Sequence, residues 1–546
     1  MSDSIAAGAR QPALLEKTIG RALIDRVRAQ PDGMALVDRG QGVRWTWLEL
    51  AGKVDALATG LLRLGFRPGE RLGIWAPNRW EWVVAQFATA RIGVILVNVN
   101  PAYRSNEAEY ALNKVGCRAL ICTPRFKSSD YIGMLREIGR ERLPQLEFLI
   151  SLGADTFENF IPFNTLFDVP QADALAAMEA KLAPGDPINI QFTSGTTGLP
   201  KGATLTHHNI VNNGFFVGEQ IGLGPEDRLC IPVPLYHCFG MVMGNLACLN
   251  HGATMVYPSE GFDPLEVLRT IETARCTALY GVPTMFIQIL NHAEFGDYDL
   301  SSLRTGIMAG APCPEVLMKG VIERMHMREI TIAYGMTETS PVSLQTSRDD
   351  PFEERVATVG KVQPHLEVKI VNPDGAIVPR GTAGEICTCG YAVMQGYWDE
   401  PDRTAEAIDS DGWMHTGDVG TIDESGYFRI TGRIKDMLIR GGENIYPREI
   451  EEFLLSHPGI ADVQVVGVPD ERYGEEVCAC VIARQGQTLD PAQVREFCRR
   501  GIAHYKVPRH VLFVEEFPLT VTGKVQKFVL REQASARVAA EFREPC

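Results

Sequence analysis

The segment FTSGTTGLPKGATLTHHNI (192–210) sets three glycines, six Ser or Thr hydroxyls and a lysine between apolar flanks. Glycine adopts backbone conformations in which successive N–H groups converge, so Gly195, Gly198 and Gly202 are expected at sharp turns that present amide donors. Thr193, Ser194, Thr196 and Thr197 add hydroxyls, and Lys201 adds a positive charge. Such a nest suits a polyphosphate. It is not a Walker A loop, which needs four residues between its glycines and a lysine directly after the second; the order here is G-T-T-G-L-P-K-G. Glycine and threonine content alone fits a surface loop equally well.

The elements around this loop must position it. INIQF (188–192) feeds in as a strand, and THHNIVNN (206–213) begins a helix after it. Earlier, RLGIWAP (71–77) is strand-like, NRWEWVVAQFATARIG (78–93) opens on Asn78 as an N-cap and continues at helical spacing, and VILVNVNP (94–101) reads as a buried strand. A β-α-β unit implies a parallel sheet. The rhythm recurs over 253–283. From about 362 it gives way to short strands with turns at 372–375 and 424–426, and PREIEEFLLSHPGIADVQVVGVPD (447–470) reads as helix then strand. The predicted architecture is α/β: a large N-terminal domain (1–434) of α/β layers with a β-rich subdomain, then a small mobile α+β domain (435–546).

Composition narrows the function. A chain of 546 residues with 45% hydrophobic and 22% charged residues can bury a large core in at least two domains. The net charge of −15 argues against a nucleic-acid partner, so phosphates must be gripped locally by amides, a few cations and metal. Thirteen cysteines show no spaced framework; Cys387/Cys389 and Cys478/Cys480 have strand-like i,i+2 spacing and read as buried thiols in a reducing cytoplasm. The first 23 residues lack the apolar core of a signal peptide, and the longest apolar run, IGVILV (92–97), is too short to span a bilayer. The C-terminal EPC is no prenylation box.

Four more stretches follow the loop in order: YGMTET (334–339), GWMHTGD (412–418), GRIKDMLIRGGENIYPREIE (432–451) and PLTVTGK (518–524). Singly, each has a plainer reading. Glu338 fits an exposed carboxylate, Tyr334 core packing, Asp418 a turn cap, His237 in PLYHCFGM a satisfied core histidine, and Thr-Gly-Lys an exposed turn. Together, in this order and spacing, they make the chain resemble the acyl-adenylate-forming superfamily, with the short- and medium-chain fatty acyl-CoA ligases as its nearest members.

That resemblance implies the following roles. Glu338 ligates Mg²⁺ and Thr337 touches the α-phosphate; Tyr334 and Gly335, with Gly310, Ala311 and Pro312, frame adenine; Asp418, placed in a turn, takes the ribose, and Arg433 reaches sugar or phosphate. Lys524 stabilises the adenylation transition state, and His237 gates the acyl carboxylate. Lys435 is the hinge; Gly441, Gly442 and Glu443 approach pantetheine, with Tyr473, Tyr505 and Lys506 as further CoA contacts. Met241, Tyr280, Met308 and Met336 join His237 along the acyl pocket, where flexible methionines suit an adaptable alkyl slot.

The activity implied is an ATP-, Mg²⁺- and CoA-dependent ligation of a carboxylic acid through acyl-AMP, on a medium-chain fatty acid or else an aryl or branched acid. An amino-acid-activating domain would carry an Asp near YHCFG and a following carrier domain; a luciferase-like oxygenase shares the first half-reaction; a non-catalytic nucleotide sensor would lack Lys524 or Glu338. The oligomeric state, a homodimer included, stays open.

Overall fold

A computed structural model describes residues 2–153, 155–193, 200–440, 443–470, 472–484, 486–520 and 524–541. Two large sheets carry most of it, one of eight strands and one of nine. The expected β-α-β unit is present: Arg71–Trp75 and Ile95–Asn98 pair in parallel, joined by the helix Trp80–Arg91. Glu81 to Arg91 are buried throughout, so this helix is wedged between layers and has no solvent face. Its charges are therefore paired: Glu81 with Arg79 at 2.9 Å, Arg91 with Glu179 at 2.6 Å and with Asp55 at 3.1 Å.

Asn78 does not cap this helix. The cap position is Arg79, and the Asn78 amide instead donates to the Val233 carbonyl at 2.9 Å and accepts from the Leu235 N–H at 2.8 Å. A residue chosen for helix entry thus ties the first sheet's connection to a loop leaving the second.

In the nine-stranded sheet, Thr254–Tyr257 and Ala278–Gly281 run parallel with Arg228–Cys230 inserted between them. The hydroxyl-rich loop connects a hairpin. Pro187–Thr193 pairs antiparallel with Lys201–Thr206, Thr193 opposite Lys201, and the helix His207–Gln220 then starts from a capping box of Thr206 and Asn209. Gly202 therefore lies within a strand, opposite Phe192, with its carbonyl accepting from the Trp398 N–H at 2.8 Å, and not at a turn. Residues 194–199, with Ser194, Gly195, Thr196, Thr197 and Gly198, lie outside the described residues.

The β-rich region is a five-stranded antiparallel sheet whose order begins with Ile5–Ala7, followed by Leu366–Val371, Gly384–Gly390, Met414–Ile422 and Phe428–Arg433. The N-terminal strand had no signal in the sequence. The two predicted turns bend at Gly375 (φ 81°) and Gly426 (φ 85°), conformations that favour glycine. Beyond them a smaller antiparallel sheet built on Ile460–Asp470 and Gly474–Ala483, joined in parallel by His510–Phe513, packs against the helices Pro447–Leu455, Pro491–Gly501 and Lys527–Glu541. It has its own apolar core around Leu438, Ile450, Leu454 and Val465. The described cysteines are free; most are buried as expected, but Cys313 and Cys389 are half-buried. No helix among the described residues is long and apolar enough to cross a membrane.

At the end of Glu329–Gly335 the chain passes so close to its own continuation that a Cβ on Gly335 would lie 1.8 Å from the Pro341 carbonyl oxygen. Gly335→Ala must push the 335–341 segment aside. A loss of at least about 1–3 kcal/mol is expected, as for other overpacked sites, read as a lowered urea midpoint; an unchanged midpoint would disprove the close approach.

Candidate active site

Thr305–Ala309 and Glu329–Gly335 are parallel neighbours, Ala309 opposite Ala333. The 310–312 segment and the 334–339 segment therefore emerge side by side at the C-terminal edge of the sheet, where open α/β sheets bind ligands. Gly310 has φ 85°, and a Cβ there would stand 3.6 Å from Lys524 Cε. Lys524 thus lies against this backbone, delivered from the C-terminal unit. Burial, then the Arg433 charge, lowers its pKa to about 8, while Asp418 and Glu338 pull the other way.

Thr337 and Glu338 are buried in the short helical turn Thr337–Thr339. Glu338 Oε1 accepts from the Thr193 hydroxyl at 3.1 Å and from the Tyr397 hydroxyl at 2.9 Å. The Lys201 ammonium sits 4.3 Å from the Tyr397 ring centroid, a cation–π contact. Both stems of the 194–199 loop are therefore tied to one carboxylate, Thr193 directly and Lys201 through Tyr397. Tyr397 has no signal in the sequence, because two adjacent aromatics in QGYW show no spacing pattern.

Asp418 is buried in the strand Met414–Ile422 and not in a turn. What looked like a turn in HTGD is a bulge: His415 and Val419 face Cys387 and Glu385, so the 415–419 stretch is longer than its partner. Gly417 takes φ 70° there, and its N–H donates to Glu385 Oε1 at 3.0 Å. The bulge aims Asp418 inward. Its Oδ2 accepts from the Tyr334 hydroxyl and its Oδ1 from Arg433 Nε, both at 2.8 Å. Each oxygen already has a protein donor, which leaves one lone pair on each for a ligand.

His237 Nδ1 accepts from the Phe239 N–H at 3.2 Å, so the ring proton belongs on Nε2. Burial, with the Lys524 charge second, pushes its pKa down to about 3, and the imidazole is neutral. The chain continues as a π-helix, Phe239–Leu246. Met241 is fully buried within it, its sulfur accepting from the side-chain amides of Asn98 at 3.1 Å and Gln191 at 3.2 Å. It is a pinned wall and not the adaptable side chain expected. Tyr280 is also buried, its ring 5.4 Å from that of Phe239, and Met336 packs half-buried against the same cluster. Met308 is not brought to them: strand alternation turns it to the opposite face, into the cluster with Leu279.

Lys435 is exposed in the bend between Phe428–Arg433 and Leu438–Arg440. Of the residues assigned to CoA, Gly441 and Gly442 lie outside the described residues, and Glu443 is described only as the start of a strand. Arg440 gathers two others. Its guanidinium lies 4.8 Å from the Tyr473 ring centroid, donates to the Tyr505 carbonyl at 3.3 Å and forms a two-bond pair with the buried Glu476 at 2.7 and 2.9 Å. Lys506 lies beside them, its ammonium 5.4 Å from the Tyr505 ring centroid and donating to Glu449 at 2.5 Å.

The AMP-binding enzyme family matches residues 23–398, and the AMP-binding enzyme C-terminal domain matches 449–524. The chain belongs to the AMP-binding enzyme family. It is 46% identical to the medium-chain acyl-CoA ligase ACSF2, mitochondrial, of Danio rerio, over 98% of this chain and 92% of that one. Among solved structures it resembles the anthranilate CoA ligase AuaEII in complex with anthranoyl-AMP (TM-score 0.85, 26% identity, 96% and 99% of the two chains). It likewise resembles ATP-bound MatB from Rhodopseudomonas palustris (TM-score 0.82, 29% identity, 95% and 99%).

Tyr397→Phe would keep the ring beneath Lys201 but remove one of the two donors on the buried Glu338 carboxylate. The expected cost is about 1–3 kcal/mol of stability, that of an under-satisfied buried group, measured by urea denaturation at neutral pH. A variant as stable as the parent would show that the bond contributes nothing.

Proposed function

We propose that this chain is an ATP-dependent acyl-CoA ligase working through acyl-AMP. The observation that carries the reading is the position of Lys524, seated against Gly310 in the combined field of Glu338, Asp418 and Arg433. A carboxylate is a poor electrophile, so its oxygen must first become part of a leaving group. The acid oxygen attacks the α-phosphorus of ATP, the bond to the β-phosphate oxygen breaks, and pyrophosphate departs.

The chain's residues divide that work. The Lys524 ammonium opposes the negative charge gathered between carboxylate and phosphate. His237, neutral and protonated on Nε2, donates to the acyl carboxylate without neutralising it. Tyr334 and Gly335, with the 310–312 backbone, frame adenine, Asp418 offers its remaining lone pairs to the ribose hydroxyls, and Thr337 and Arg433 contact phosphate. Thr193 and Lys201, the described residues flanking the glycine-rich segment, contact the phosphates. Glu338 fits a hard cation: both of its hydrogen bonds fall on Oε1, so Oε2 is the oxygen that would hold Mg²⁺, which when bound neutralises phosphate charge.

In the second step the CoA thiol attacks the acyl carbon and AMP leaves. We place the pivot at Lys435, where the exposed bend absorbs a rotation of residues 435–546, with Gly441, Gly442, Tyr473 and Tyr505 approaching pantetheine. Lys506, engaged by Glu449, would first have to leave that partner to reach pantetheine as well. The medium-chain reading is supported by the name of the Danio rerio relative and by the apolar lining of Phe239, Tyr280 and Met336. An aryl acid is the second reading, favoured by the adjacent aromatic rings of Phe239 and Tyr280 and by the structural likeness to an anthranilate ligase.

Two measurements test this. Lys524→Ala should lower acyl-AMP formation about 10²–10³-fold, the cost of losing one charge-stabilising donor, while sparing thioester formation from supplied acyl-AMP. Because the protonated amine is the active form and its pKa is about 8, kcat/KM of the parent for ATP should fall as pH rises through that value, and the alanine variant should lack this limb. Equal loss in both half-reactions would remove Lys524 from its role. Across acetate to palmitate plus benzoate, kcat/KM should peak at roughly six to ten carbons, each buried methylene adding about 0.8 kcal/mol until the slot ends. A maximum at benzoate selects the aryl reading, and one at acetate refutes both.

A further inference from the structure

The face of the five-stranded sheet that points away from the core carries chemistry that acyl transfer does not use. Along Gly384–Gly390, Ile386 enters the apolar core, whereas Glu385 and Cys387 alternate to the other side. Cys387 stands opposite His415 on the neighbouring strand. The Cys387 sulfur, a ring nitrogen of His415 and a carboxylate oxygen of Glu385 all lie within 4.8 Å of one another. Two of the separations are 2.9 Å, His415 Nδ1 to Glu385 Oε2, and 3.5 Å, Cys387 Sγ to His415 Nδ1.

We propose that Glu385, Cys387 and His415 form a binding site for a thiophilic divalent cation of the zinc class. A tetrahedral ion with metal–nitrogen and metal–sulfur bonds of about 2.1 and 2.3 Å places its donors about 3.3–3.7 Å apart. The sulfur-to-Nδ1 separation of 3.5 Å already matches, the 2.9 Å contact between Nδ1 and the carboxylate would open by a few tenths of an ångström, and the third pair lies within 4.8 Å. Sulfur with imidazole selects zinc-like ions over magnesium, which takes oxygen, so the site is chemically distinct from Glu338. On binding, the thiol proton leaves to solvent, and thiolate and carboxylate together balance the 2+ charge. Water fills the fourth position.

The surroundings support this assignment. Asp409 Oδ2 lies 3.7 Å from His415 Nε2, on the side from which a carboxylate orients a metal-bound imidazole. Glu385 uses its other oxygen to hold the Gly417 N–H, so metal on Oε2 would leave the bulge intact. Lys369, opposite Cys387 on the next strand, directs its ammonium onto the Trp413 ring at 4.3 Å and out of the donor set. The Glu385 and His415 side chains are 20% and 33% exposed, which gives an ion a path from solvent. A simple Glu–His ion pair would account for two of these residues but not for the thiol beside them.

The chain, stripped of metal by a chelator and titrated with Co²⁺ as an optical probe, should bind one equivalent with a thiolate-to-cobalt charge-transfer band that Zn²⁺ displaces. Cys387→Ser should abolish the band, His415→Gln should weaken Zn²⁺ binding at least tenfold, and Cys389→Ser, on the same strand but outside the donor set, should change neither. In the unaltered protein, where Cys387 is buried, alkylation read peptide by peptide in a mass spectrometer in urea just sufficient to expose this thiol in the metal-free chain should be slowed by Zn²⁺. The site is refuted if the parent binds no stoichiometric Zn²⁺, if Cys387 alkylates equally with and without it, or if the band survives Cys387→Ser.

Discussion

A buried carboxylate governs the architecture around the site. Glu338 sits where water scarcely reaches, and an ion there is costly unless hydrogen bonds and opposite charge replace its hydration. The hydroxyls of Thr193 and Tyr397 supply the first, and Lys524 supplies part of the second. These partners are far apart in sequence: the hairpin 187–206 and the short strand Gly396–Tyr397, which are neighbours in the eight-stranded sheet, and the C-terminal unit. Glu338 is carried by the nine-stranded sheet. Satisfying one carboxylate therefore brings both sheets and the C-terminal unit into register, and the positions of Asp418, Tyr334 and His237 follow from that convergence.

Much of this was legible because periodic burial writes itself into a sequence. The buried run VILVNVNP and the strand RLGIWAP announced a parallel pair, and the turn chemistry at 372–375 announced the antiparallel sheet. The 334–339 motif was legible for another reason: it places reactive side chains at the exit of a strand, where backbone geometry tolerates few alternatives.

The failures have local physical causes. Lys201–Thr206 carries no clear strand signal because threonines and a glycine dilute its apolar alternation, and Gly202 therefore reads as a turn residue. HTGD carries the composition of a turn, yet it is a bulge within a strand, since glycine at positive φ serves both. Met241 looked adaptable because methionine usually is; only the three-dimensional arrangement brings two amide donors from distant segments onto its sulfur. Met308 was misassigned by ignoring strand alternation, and Ile5–Ala7 is too short to show any pattern.

That small strand has a consequence for how the chain is made. Ile5 pairs with Lys369 and Ala7 with Glu367, so this segment, synthesised about 360 residues before its partner, finds its place only after the distant Leu366–Val371 strand exists. At synthesis rates of roughly 5–20 residues per second, the wait lasts on the order of tens of seconds. Contacts so remote in sequence are closed late, and until then the outer edge of Leu366–Val371 stays open to pairing with another chain. Ile5–Ala7 therefore acts as a final clasp on that edge, shielding a nascent sheet from its neighbours.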